Sequence, residues 1–322
     1  MNYKHFILTR FNIPFKSEVN IEQLTENNYL EKRFKLFFDF SFSSILNQSR
    51  QNYFWFVFFD SRTPLKYKLL NKKLQNILPA YFPIYVDFSE LSNLKCDDTY
   101  IREAIRCASL ARNSYIAEDS SNLNYEDFTS RVLIPQYINN LIRQHIDPDT
   151  KYVITTRIDN DDCFETDMIK CVQEQALKVN LDKILNFDNG LQYIANKNIC
   201  QTFFYPNNHF TSIIEPVNRP IKTILYWEHY FIDRYKEVIH IDTKPLWMEV
   251  IHDNNAVNSL KLGRENRLMW NVDLQPFGTS KRWNYVATLA ALMIHPTAYF
   301  WPHIKKALHL SKLKRLLKCH LS

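Results

Sequence analysis

Glycine is nearly missing from this 322-residue chain: Gly190, Gly263 and Gly278 are dispersed, none close to another. A Walker phosphate loop, a G-x-G-x-x-G dinucleotide turn and a G-x-S-x-G nucleophile elbow each need clustered glycines. All three are excluded, so any nucleotide must be held by side chains, a metal or ordinary backbone. The six cysteines form no C-x-x-C pair and no zinc spacing with histidine, the usage expected of reduced thiols in a cytoplasmic protein. Long apolar runs are also lacking. Nothing approaches the roughly 20 residues that span a bilayer, and the longest candidate, Tyr285–Trp301, is broken by His295 and Pro296. The opening MNYKHFILTRFN is too short and polar for a secretory signal.

What is present is enough for a large core. Hydrophobic residues make up 46% and aromatics 15%, which excludes wholesale disorder. The net charge of +6 is mild and acquires meaning only through its distribution.

Strands alternate with helices along the first half. Phe6–Thr9, Tyr53–Phe59, Pro83–Asp87 and Tyr152–Thr156 read as buried strands, being short apolar runs rich in aromatic and β-branched residues. Helical patterns cover about Leu30–Leu46, Tyr67–Ile77, Thr99–Tyr115 and Tyr125–His145, the last interrupted by Pro135. Such alternation predicts an α/β fold with a mostly parallel sheet between helices. Ligands of such sheets bind beyond the carboxyl ends of the strands. That rule selects Asn12, Asp60, Asp87 and Arg157–Asp162. Further on, Ile184–Phe187 and Gln192–Ala195 flank Asp188-Asn189-Gly190, which reads as a hairpin turn. Cys200–Tyr205 and Pro245–His252 read as further strands.

The strongest chemical signal is Tyr152-Val-Ile-Thr-Thr-Arg157-Ile-Asp159-Asn160-Asp161-Asp162, a buried strand running into three carboxylates. Their mutual repulsion raises each proton affinity unless a cation relieves it. Mg²⁺ or Mn²⁺ does so with one or two carboxylates plus phosphate oxygens. Asp159 and Asp161 form the D-x-D pair, and Arg157 either adds positive charge to a phosphate cluster or pairs with them. The plain alternative is an acidic turn in which Asp162 caps a helix over Phe164–Lys178.

The ordered segments HFILTRFN, FWFVFFDSRTP, TTRIDNDD and WMEVIHDNNAVN, spread over residues 3–260, resemble a bacterial rhamnosyltransferase family within the family-2-like glycosyltransferases of GT-A fold. The resemblance implies a nucleotide-sugar donor, a glycan or lipid-linked glycan acceptor, and a divalent ion on the donor diphosphate. It places Asn12 near the nucleotide, Asp60 at base or ribose, and Asp159 and Asp161 on the metal, with His252 as a third metal or phosphate ligand. Arg157 would face the phosphates. An inverting transferase also needs a base for the acceptor hydroxyl, and Glu228, Glu249 and Glu215 are the candidates. Trp227-Glu228-His229 resembles the aromatic–acid–acid position of the family, with His where the final acid is expected. Trp247 and Trp270 are candidates for stacking on sugar rings.

The chain changes character near Asn284, which divides a catalytic region, 1–283, from a helical extension, 284–322. Residues 303–322 carry six lysines and arginines, no acids and a leucine stripe at helical spacing. That is the pattern of a helix lying on an anionic membrane surface, or of one packed on the catalytic domain with its lysines in water. No nucleic-acid motif is present. The expected product is a bacterial surface glycan such as lipopolysaccharide or capsule. Two rivals remain at this level: a metal-dependent phosphohydrolase using the same aspartates, and a non-catalytic membrane adaptor working through the tail.

Overall fold

The computed structural model describes residues 2–13, 24–91, 93–112, 128–227, 229, 232–252, 268–269, 272–281, 284, 286 and 288–289. The strands in chain order are β1 (Tyr3–Arg10), β2 (Phe54–Asp60), β3 (Tyr81–Val86), β4 (Tyr152–Arg157), β5 (Cys163–Phe164), β6 (Ile184–Phe187), β7 (Asn189–Ile194), β8 (Ile199–Phe204), β9 (Ser212–Pro216), β10 (Val238–Ile241) and β11 (Trp247–Ile251). The helices are α1 (Asn27–Phe37), α2 (Ser43–Leu46), α3 (Leu65–Ile77), α4 (Phe88–Leu91), α5 (Asp98–Arg112), α6 (Ile134–Arg143), α7 (Met168–Ala176) and α8 (Ile232–Tyr235).

Seven strands form the main sheet in the order β10-β6-β9-β4-β1-β2-β3. Only β9 runs against the others, antiparallel to both β4 and β6, so the expected parallel character holds except at that strand. The first four strands lie where their apolar runs place them; β1, β2 and β4 are buried on both sides, while β3 is a half-buried edge strand. Trp55, Phe59, Ile154 and Leu185 pack on one face, and Phe6, Phe58, Val153 and Ile213 on the other. Pro135 stands where a π-helical turn, Thr129–Leu133, passes into α6, so the interruption expected at the proline is a change of helix type.

Between α1 and α2 the chain makes a π-helical turn, Phe38–Phe42. The extra residue rotates the aromatic face. Phe37 and Phe42 remain on the main core, while Phe40 turns to a separate cluster with Tyr193 and Met248.

That cluster belongs to a second sheet, β5-β11-β7-β8, in which only β11 and β7 run parallel. The expected hairpin at Asp188-Asn189-Gly190 is replaced by a change of sheet. β6 lies in the main sheet and β7 in the second, with only Asp188 between them. Gly190 is needed because a Cβ there would lie 2.3 Å from the Trp247 indole. The hairpin partner of β7 is β8.

Residues 268–269 and 272–281 return to this body: Leu268 bridges to Gln201, and the Thr166 amide donates to the Pro276 carbonyl. Most of the expected helical extension, including the basic segment 303–322, lies outside the described residues. Among the described residues, no helix is long and apolar enough to cross a membrane.

Candidate functional site

β4 ends at Arg157, and Ile158, fully buried, plugs the start of the turn that follows. Asn160 fixes the turn to the end of β1 by donating to the carbonyls of Arg10 and Phe11 at 3.2 and 2.8 Å. It also accepts a hydrogen bond from Arg33 of α1. Ser41 Oγ donates to the Asp159 carbonyl at 3.1 Å. Three separate segments therefore hold the acidic turn, and its carboxylates take different partners.

Asp159 is clamped from both sides by Arg157, whose Nε and Nη2 donate to its two oxygens at 3.0 and 2.8 Å. Burial opposes its charge, but Arg157, His209 and Arg10 hold its carboxyl well below the usual range. It is the most open of the three, with a side chain 31% exposed against 11% for Asp161 and 4% for Asp162. Asp161 meets Arg33 at 3.1 Å and His252 Nε2 at 2.9 Å. Asp162 accepts the Val250 amide at 2.9 Å and lies 2.8 Å from His209 Nε2. Burial, then Asp161 and Asp159, push the Asp162 proton affinity well up. Burial also lowers that of His209. Burial thus weighs against the charged form of both partners.

Ligand atoms of Asp159, Asp162 and His209 all lie within 4.8 Å of one another. Two carboxylate oxygens and an imidazole nitrogen suit a divalent ion of the Mn²⁺ or Mg²⁺ kind, and such an ion would relieve the repulsion that Asp162 bears. The fit is good. Asp162 and His209 are thus candidate ligands that the sequence did not single out. Asp162 was visible in the motif but read as a cap, whereas α7 begins only at Met168, after β5. His209 carries the weak signal of a histidine in the turn before an isoleucine-rich strand.

The other candidates are distributed as follows. The expected D-x-D partner Asp161 and the expected third ligand His252 are brought together, but with each other and Arg33. Asn12 is buried at the end of β1. Its side chain accepts the Asp60 amide at 3.1 Å and donates to Thr63 Oγ1 at 3.2 Å. Asp60 receives Arg62 through both guanidinium and backbone nitrogens. Asp87 takes the Ser89 amide and hydroxyl.

Glu249 is buried and accepts Gln192 Nε2 at 2.5 Å, with Gln201 donating to Gln192 behind it. Glu215 lies opposite Val153, about 13 Å along β4 from Arg157 at strand rise. It accepts the amides of Lys222 and Thr223 at 3.1 and 2.8 Å, so the structure does not bring it to the acidic turn. Glu228 lies outside the described residues, while the ring of its neighbour His229 is 5.8 Å from that of His209. Burial, then the positive charge of Arg157, lower the proton affinity of His229 to a pKa of about 2. Trp247 is not available to a sugar: it is fully buried and stacked on Phe210 at 4.6 Å. Trp270 lies outside the described residues.

Arg10 adds a second guanidinium beside this turn. β1 and β4 are neighbours with Leu8 opposite Arg157, and burial, with repulsion from Arg157, lowers the Arg10 pKa to about 10. The carboxyl edge of β1 and β4 thus carries two arginines, a partly open carboxylate and a metal-competent trio.

Residues 119–264 match the model of the family described as "Putative rhamnosyl transferase", a span that holds β4 to β11 and the entire acidic turn. The match covers 146 of the 322 residues. No curated protein matches the sequence. Among solved structures, the apo form of mouse xyloside xylosyltransferase 1 is similar over 57% of this chain at 13% identity, with a TM-score of 0.29. The similarity spans about half of that enzyme's chain, 52%.

Proposed function

We propose that the protein transfers a sugar, rhamnose by the family description, from a nucleotide-sugar donor to a growing surface glycan with inversion at the anomeric carbon. The observation that carries this reading is the gathering of Arg10, Arg157, Asp159, Asp162 and His209 at the carboxyl edge of the sheet. The leaving group in glycosyl transfer is a nucleoside diphosphate, whose developing charge must be met by fixed positive groups. Arg10 and Arg157 supply that charge in a chain without glycine loops. Asp159, Asp162 and His209 would hold a divalent ion, which when bound adds Lewis-acid stabilisation of the same charge. Asn12 and Asp60, tied together at the ends of β1 and β2, support the nucleotide side of the edge.

The test is nucleotide release from UDP-, GDP-, dTDP- and CMP-sugars offered with glycan acceptors. One donor should be turned over, and a protein that binds no nucleotide and releases none would remove the reading.

For the acceptor side we propose a cytoplasmic enzyme held at the inner membrane face by residues 303–322. Six cations near an anionic leaflet contribute about 1 kcal/mol each, so deleting the segment should release the protein from phosphatidylserine vesicles. Unchanged vesicle binding would remove the membrane proposal.

A further inference from the structure

The acids expected to serve as base are occupied where the structure describes them: Glu249 by Gln192, and Glu215 by two backbone amides. A different group stands open at the same edge of the sheet. His240 on β10 has its Nδ1 2.9 Å from Asp188 Oδ1, and Asn186 Nδ2 donates to that same oxygen at 2.6 Å. The Asp188 backbone is fixed on both sides, its amide donating to the Ile241 carbonyl at 3.2 Å and its carbonyl accepting from Tyr205 at 2.8 Å. Asn186 is fully buried and its Oδ1 has no hydrogen-bond partner. The His240 side chain, by contrast, is 45% exposed.

Register places this pair relative to the arginines. Leu185 is level with Ser212, and Ser212 with Thr156. One residue further on, Asn186 is level with Arg157, both on the face opposite to Leu185 and Thr156. His240 is in register with Asn186. His240 and Arg157 therefore share one row and one face, three strand spacings apart, about 14 Å between backbones. Thr211 and Asn186 occupy the two positions of that row between them.

We propose that His240, oriented by Asp188, takes the proton of the acceptor hydroxyl. With Nδ1–H directed at Asp188, Nε2 carries the lone pair, the arrangement by which a carboxylate sets the tautomer of a general base. The acceptor O–H bond breaks and its proton passes to Nε2, while the oxygen forms the new bond to the donor's anomeric carbon. The bond from that carbon to the phosphate oxygen breaks, and its electron pair leaves on the nucleoside diphosphate toward Arg157 and Arg10. His240 is the catalytic residue of this step, and Asp188 is a positioning residue. The proposal rests on the glycosyltransferase reading.

The experiment uses the donor that the wild type turns over, with p-nitrophenyl glycosides as acceptors. His240→Ala should lower kcat for transfer roughly 10²- to 10³-fold, leave the donor KM and the affinity for the free nucleoside diphosphate within about twofold, and regain part of its rate with added imidazole. Asp188→Asn should lower kcat by a smaller factor, also without moving the donor KM. His240→Gln, close in size to the original, controls for folding and should be as slow as the alanine variant. Transfer by His240→Ala within about threefold of wild type would overturn the proposal. So would full activity in His240→Gln, which would make the ring a packing element. A wild type that binds no nucleoside diphosphate is a separate failure, because it removes the donor chemistry itself.

Discussion

Asp161 and Asp162 are adjacent in sequence and opposite in chemistry. Asp161 is a buried anion between Arg33 and His252. Removing its charge takes from the largely covered Arg33 its nearest counter-ion, a loss that costs about 3–5 kcal/mol when a buried pair is broken from one side. Asp162 is pushed toward its neutral form by burial and by the neighbouring acids, so an amide replaces it at little cost to the fold. Asp161→Asn is expected to unfold several kcal/mol more easily in urea. Asp162→Asn should stay within about 1 kcal/mol of wild type while losing metal affinity. Equal stability in the two variants would contradict this division.

Glu215 makes a similar distinction. It is a candidate base by residue type, but its carboxylate satisfies the amides of Lys222 and Thr223. Thr223 has a positive φ of 69°, a strained state for a β-branched residue that persists only where its surroundings fix it. The strained turn leads through the short helix Ile224–Tyr226 to Trp227 and His229. Glu215→Ala orphans two amides and should cost about 2–6 kcal/mol in chemical denaturation, at about 1–3 kcal/mol for each buried orphan. Glu215→Gln keeps an acceptor and should cost clearly less; an equal loss in both would remove the amide-clamp account.

At the scale of elements, the strands that read most plainly from sequence, β1, β2 and β4, are those buried on both faces. The run FWFVFF can only be a central strand, and so it is. The 188–190 segment misled because Asp-Asn-Gly is the composition of a tight turn, while the outcome was decided 57 residues away by Trp247 filling the space that a side chain at 190 would occupy. Trp247 also donates to the Phe187 carbonyl at 2.6 Å, fixing the exit of β6 and the entry of β7 together. A methyl group at 190 has to displace that ring. Gly190→Ala should therefore lower stability by about 1–3 kcal/mol, the usual range for overpacking. A thermal melting temperature equal to wild type would contradict the close packing. The acidic turn was legible for a similar reason as the strands: carboxylates directly after a buried strand need an explanation. Which of them face a common ion was not, since that depends on His209, 47 residues away.

For the whole molecule, the sheet order brings together residues that are remote in sequence: Arg10 from the first strand, Arg157–Asp162 from the fourth, His209 from the turn before the reversed strand, and Val250 from the second sheet. β9 carries His209 back across the carboxyl edge because it alone runs in reverse. That reversal is invisible to hydrophobic periodicity, which reports burial but not direction. The second sheet then closes over Asp162 through the Val250 amide. The account's central claim is that Asp159, Asp162 and His209 make the donor site metal-dependent. The direct measurement is donor turnover against Mn²⁺ concentration for wild type, Asp162→Asn and His209→Gln, with folding of each checked by circular dichroism. Turnover that rises with Mn²⁺ in the wild type and is lost or shifted at least tenfold in Mn²⁺ requirement in both folded variants is the predicted result. Turnover in either folded variant with the wild-type Mn²⁺ dependence would contradict it.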